Sequence, residues 1–232
     1  MTVEQGFEAG VERFRRSPLA HRTADLAAQT GGVTLSELPF LSMVSLRVAP
    51  NSAPASRVES ALGARLPEAG HVSSVLVGSV LWLGPDEFLV IGQAGVGQAG
   101  VGQAGVGQAG VGQAGVTAGL IAVLVEAIGE DPGSVVDVSA NRDTLVLSGP
   151  NARDVLEKGC TLDLHPRSFT AGRCAQTTLA RGHVLIWQTR AEGTPSGPVY
   201  RVLFRGSFAD YFADWFTDAA AEFATPGTVR AT

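Results

Sequence analysis

The densest concentration of side chains that could do chemistry is Trp82-Leu83-Gly84-Pro85-Asp86-Glu87, followed by Phe88-Leu89. Asp86 and Glu87 could in principle act as a general acid and base. Neighbours on a strand point to opposite faces, however, so the two carboxylates do not naturally share one site. A strand, a Gly-Pro turn carrying Asp86 and a second strand account for the segment. Asp137 and Ser139, followed by Arg142 and Asp143, read as a polar turn between apolar strands, with Asp137 and Arg142 suited to a structural ion pair. Of the two cysteines, Cys174 adjoins Arg173, which could lower a thiol pKa. No histidine stands near either cysteine in the sequence to serve as a base, so both read as buried reduced thiols. His21, His71, His165 and His183 are scattered without metal-ligand spacing. No Gly-x-Ser-x-Gly, no GxxxxGK[ST] and no dinucleotide fingerprint opening a strand-turn-helix unit occurs.

The elements that must hold these residues come from 232 residues with a net charge of −5. That charge argues against a general nucleic-acid binder, which needs a basic footprint. The start, MTVEQGFEAGVERFRR, carries Glu4, Glu8 and Glu12 and lacks the apolar run of a signal peptide. No apolar run is long enough to span a bilayer. A soluble, cytoplasmic protein is expected. Residues 92–116 repeat GQAGV five times, taking ten of the 29 glycines. A period of five matches neither strand nor helix, so a flexible surface loop is expected there.

Periodicity predicts a short helix over Val3–Arg16 and strands at Val33–Leu38 and Ser42–Val48. A helix follows over Arg57–Leu66, stopped by Pro67. Strands are expected at Val72–Val77, Val80–Leu83 and Glu87–Ile91, then a helix over Ala118–Ile128 capped by Thr117 and closed by Gly129, then a strand at Val135–Val138. The second half repeats the rhythm, with strands at Thr144–Leu147, Cys174–Ala180, His183–Thr189 and Val199–Phe204 and a helix over Ala152–Lys158. A final helix is expected from Ser207, with Ser207 and Asp210 spaced as a capping box. Its stripe of Phe208, Tyr211, Phe212, Trp215, Phe216 and Phe223 is most simply core, although that much aromatic area could also dock a partner. The fold class expected is α+β, two tandem related units with mostly antiparallel sheets. The division is 1–32 as an N-terminal helix and arm, 33–138 as the first unit with the 92–116 loop, and 139–232 as the second.

Taken in order, seven motifs resemble the gamma subunit family of heterotetrameric sarcosine oxidases. They are Ser17-Pro18-Leu19; Leu38-Pro39-Phe40 with Leu46-Arg47; Trp82-Leu83-Gly84-Pro85-Asp86-Glu87; Val136-Asp137-Val138-Ser139 with Asn141-Arg142; Leu147-Ser148-Gly149-Pro150 with Ala152-Arg153-Asp154-Val155-Leu156; Lys158-Gly159-Cys160 with Leu162-Asp163-Leu164-His165-Pro166; and Ser207-Phe208-Ala209-Asp210-Tyr211. The resemblance spans about residues 15–225 outside the repeat array. Two departures are the array itself, where the family has a short loop, and Gly206, which separates Arg205 from Ser207-Phe208.

The resemblance implies a fold like that of the tetrahydrofolate-binding aminomethyltransferases. It implies membership of a complex that oxidatively demethylates sarcosine to glycine with release of hydrogen peroxide. The one-carbon unit leaves as formaldehyde or passes to tetrahydrofolate. FAD, FMN, NAD and zinc are expected on the alpha, beta and delta subunits and none on this chain. No catalytic, cofactor-binding or metal residue is therefore expected here. Trp82, Gly84, Pro85, Asp86, Glu87, Arg205 and Ser207 are the candidate partner-interface or turn residues. The alternative is a free-standing folate-dependent enzyme, for which Asp137 would be the pocket carboxylate.

Overall fold

The computed structural model describes residues 16–27, 31–92, 113–193 and 196–224. The helix expected over Val3–Arg16 and most of the repeat array lie outside the described residues. The rest forms two compact units. One is built from Phe40–Ala69 and Ser73–Ser139, the other from Pro18–Pro39, Gly70–Val72 and the residues from Ala140 on.

The first unit is a five-stranded sheet in the order β3-β4-β5-β2-β6. Its strands are β2 (Met43–Arg47), β3 (Val72–Val75), β4 (Gly78–Gly84), β5 (Glu87–Gly92) and β6 (Ser134–Asp137). The pairings β4/β5, β5/β2 and β2/β6 are antiparallel. Val44 and Leu46 alternate along β2 and enter a core shared with Phe88 and Val90, as period-two spacing requires. Helices α2 (Ala53–Leu62) and α3 (Gln113–Ile128) cover that core with Val58, Leu62, Leu120 and Leu124. Helix α2 begins and ends earlier than its apolar spacing suggested. Ser52 accepts the Ala55 N–H (3.2 Å), Pro54 pre-sets the first turn, and Gly63 ends the helix at φ 74°, four residues before Pro67. Helix α3 starts at Gln113, inside the last repeat, so Thr117 is not a cap. Its buried hydroxyl donates to Ser42 Oγ (2.9 Å). Arg57 donates to the carbonyls of Ala127 (2.7 Å) and Ile128 (2.8 Å) and pairs with Asp131, closing the C-terminus of α3.

The second unit has the sheet order β1-β7-β10-β9-β8, from β1 (Thr34–Glu37), β7 (Arg142–Ser148), β8 (Cys174–Leu179), β9 (Gly182–Arg190) and β10 (Val199–Arg205). Helices α1 (Thr23–Ala27), α4 (Ala152–Glu157) and α5 (Ala209–Ala220) accompany it. Leu145, Leu147, Val184, Ile186, Val202 and Phe204 meet Phe212 and Phe216 of α5 in its core. A 3-10 turn over Gly206–Phe208 precedes α5, and no capping box forms. Asp210 turns instead to His21 Nε2 (2.7 Å) and to Arg22.

The two sheets share one connectivity with one strand exchanged. β1 precedes β2 in the chain yet pairs antiparallel with β7, and β6 precedes β7 yet pairs antiparallel with β2. The division at residue 33 therefore shifts: β1 completes the second sheet rather than opening the first.

Lys158, the single lysine of the chain, closes the far end of α5. Its ammonium donates to the Ala219 carbonyl, pairs with Glu222 and lies 4.8 Å from the Phe223 ring centre. A cation at a helix C-terminus is worth roughly 0.3–1 kcal/mol, and a cation over a ring adds about as much. Lys158→Met is expected to lower stability by about 1 kcal/mol, read as a shift in the urea midpoint.

Candidate functional site

The hairpin of β4 and β5 carries five of the seven candidate residues. Its register slips by one between Trp82/Phe88 and Gly84/Glu87, so Leu83 is the extra residue of a bulge. The half-buried Trp82 packs on the first unit's core. Asp86 is occupied by the fold: its carboxylate lies 3.1 Å from Arg47 Nη2, and its carbonyl accepts the Val48 N–H (3.0 Å). Glu87 stands opposite Arg47 in the β2/β5 ladder. The hairpin is thus locked to β2 through its turn, with Pro85 exposed at the tip.

Asp137 ends β6 and is exposed. Its Oδ1 accepts the Ser139 N–H (2.9 Å), while Ser139 Oγ accepts the Met43 N–H (3.0 Å). This is a side-chain-mimicked turn at a sheet edge. The carboxylate serves that turn rather than the Arg142 pairing expected from spacing. Arg142 and Asp143 also differ from expectation: both belong to β7, not to the turn before it.

Cys174 is buried, and its thiol donates to the His71 carbonyl (3.3 Å). Arg173 turns to His71 Nε2 (3.1 Å). Cys160 is half-buried rather than buried; it packs against the second core and bridges to Leu179. Asp163 accepts from the Ser168 hydroxyl (2.6 Å) and the His165 N–H (3.0 Å), which hold its carboxyl below the usual carboxylate range. Among the described residues, no three of His, Cys, Asp and Glu gather as a metal site, and no helix is long and apolar enough to cross a membrane. The aromatic stripe is divided: Phe212 and Phe216 are core, Tyr211, Trp215 and Phe223 pack against it, and Phe208 is exposed.

Arg205 and Ser207 are exposed at the end of β10 and in the 3-10 turn that follows. Sequence reasoning missed a buried carboxylate, Asp143, beside the half-buried Glu37. Asp143 is 5% exposed on the core-facing side of β7, in step with Leu145 and Leu147, with the Glu37 carboxylate of β1 close enough for the two charges to repel. Burial first, and then the Glu37 charge, push the Asp143 carboxyl up to about 7. The period-two register of Asp143 with the two leucines was the signal available.

The described chain is built of two mixed α+β units, each a five-stranded sheet with accompanying helices. Aminomethyltransferase T of the glycine cleavage system from Bartonella henselae shares that fold at a TM-score of 0.54 and 14% identity, over 84% of this chain and 48% of that protein. The family is narrower: the chain belongs to the sarcosine oxidase gamma subunit family, whose model matches residues 47–222. Sarcosine oxidase subunit gamma of an Arthrobacter species is 40% identical over 217 residues, covering 92% of this chain and 93% of the relative. The same subunit of Corynebacterium sp. strain U-96 is 38% identical over 217 residues, covering 91% and 92%. A solved chain of the heterotetrameric sarcosine oxidase from Corynebacterium sp. U-96, in complex with pyrrole 2-carboxylate, matches at a TM-score of 0.74 and 36% identity. That match covers 94% of this chain and 99% of the solved one.

Proposed function

We propose that this chain is a non-catalytic assembly subunit of a cytoplasmic, flavin-dependent sarcosine oxidase, packing against the alpha and beta chains in a heterotetramer completed by delta. The complex demethylates sarcosine oxidatively to glycine, with hydrogen peroxide as the reduced product. The one-carbon unit is released as formaldehyde or transferred to tetrahydrofolate. FAD, FMN, NAD and zinc reside on the other subunits, and the chemistry is theirs. The observation that carries this reading is how the candidate groups are engaged. Asp86 is held by Arg47, Asp137 by its own turn and Cys174 by the His71 carbonyl, each in a contact that stabilises the fold.

In the assembled oxidase, Asp86→Asn and Asp137→Asn are expected to leave kcat for sarcosine within about two-fold of wild type, since both carboxylates are engaged within the fold, Asp86 by Arg47 and Asp137 by the Ser139 N–H. A loss of 100-fold or more in either variant, at unchanged subunit stoichiometry, would overturn the non-catalytic reading. Calorimetric titration of the full chain with tetrahydrofolate tests the enzyme alternative; saturable binding lost in Asp137→Asn would favour it.

A further inference from the structure

The buried carboxylate of the second unit lies beside the anchor of the segment that precedes β1. Glu37 of β1 is paired with Leu145 of β7, and Asp143 lies two residues along β7 on the same face. The two carboxylates are therefore diagonal neighbours across the ladder, within reach of long side chains. Asp143 Oδ1 accepts the Thr144 N–H (2.9 Å), while its buried Oδ2 has no hydrogen-bond partner among the described residues. Glu37 is half-buried on the edge strand, and its Oε1 accepts the Leu19 N–H (3.2 Å). Leu19 is fully buried and, with Leu26, seats residues 18–27 on the second core.

The cations of the neighbouring elements are directed elsewhere. His21 pairs with Asp210 of α5, and Arg22 pairs with Asp25 of α1 and Asp214 of α5. Alternation sends Arg142 and its ladder partner Arg205 to the opposite face of the sheet, and Phe204, opposite Asp143 in β10, is apolar. Burial and the Glu37 charge keep a proton on Asp143 into the neutral range. Once that proton leaves, two like charges share a poorly solvated site. Asp143 is enclosed, whereas Glu37 sits on the sheet edge with three rotatable bonds and a path to water.

We infer that Asp143 and Glu37 form a pH-responsive latch on the N-terminal segment 18–27. With a proton on Asp143, Glu37 stays inward and accepts the Leu19 N–H. With both carboxylates charged, Glu37 swings to solvent and the Leu19 amide loses its acceptor. The segment then opens locally while the sheet behind it stays folded. The latch is closed at acid pH and releases as pH rises through neutrality. It does not depend on the assembly reading above.

The test is amide hydrogen exchange of the full chain by NMR at pH 5.5 and pH 8, corrected for the intrinsic pH dependence of exchange. A His21→Gln background removes any contribution of the exposed His21–Asp210 contact. Protection of the Leu19 amide is expected to fall by ~10-fold or more between the two pH values, with Leu19 exchanging ahead of Ile186 in β9. Asp143→Asn should abolish that fall. Glu37→Gln, which keeps an acceptor for Leu19 without the charge, should do the same and guards against a folding defect in the first variant. Leu19 protection that is independent of pH in the unlatched background would overturn the inference. So would a fall that persists in both variants, or exchange of Leu19 in step with Ile186 at both pH values, which would mean global rather than local opening.

Discussion

Phe212→Ala should lower the free energy of unfolding by about 3–5 kcal/mol, the range for deleting a fully buried aromatic ring. Phe212 is 0% exposed and sits at the centre of the second core. Its ring centre lies 4.8 Å from that of Phe204 on β10 and 6.4 Å from that of Phe216 one turn along α5. It also depends on a glycine across the contact: a Cβ on Gly182 would come within 2.6 Å of Phe212 Cζ. Gly182→Ala alone should therefore cost roughly 1–3 kcal/mol by overpacking. Combined with Phe212→Leu, which withdraws the ring, it should cost less than the sum of the two changes. Urea unfolding of the four proteins measures the cycle; strict additivity would show that the helix and the β9 start do not share this contact.

The second large effect is a reversed pH dependence from Asp143. Its carboxyl is pushed up to about 7 in the folded chain, against roughly 3.9 when unfolded. Between those values the folded state holds a proton that the unfolded state releases. The contribution to stability is complete below about pH 4, falls as pH rises and is gone above about pH 7. Wild type should lose on the order of 2 kcal/mol between pH 5.5 and pH 8 relative to Asp143→Asn, which keeps a polar group beside Glu37 without the charge. The difference between the two urea profiles isolates this group from carboxylates such as Asp163, whose shift has the opposite sign. A difference profile that is flat across this window would show that Asp143 is ionised in the fold.

Local order was legible from residues wherever one element carried its own signal. Val44 and Leu46 announced β2 by alternation, and Gly129 marked the end of α3. The start of α3 was not legible, because GQAGV has no amphipathic period. Pro67 suggested a late end for α2, whereas the left-handed backbone at Gly63 had already turned the chain. The hairpin of Trp82–Glu87 was read correctly as a turn, since its logic is local. The Asp86–Arg47 pair spans two strands and could not be read from spacing alone.

The exchange of β1 and β6 bears on how such a chain can be altered or inherited. Each sheet ends on a strand that chain order assigns to the other set of elements. A cut after Ser139 yields two pieces, each holding the edge its counterpart lacks and each missing its own. Neither half is a transplantable module, and a recombination event that imported only one would leave two raw sheet margins open to aggregation. The two-unit body is topologically a single hereditary block, although each unit has its own core.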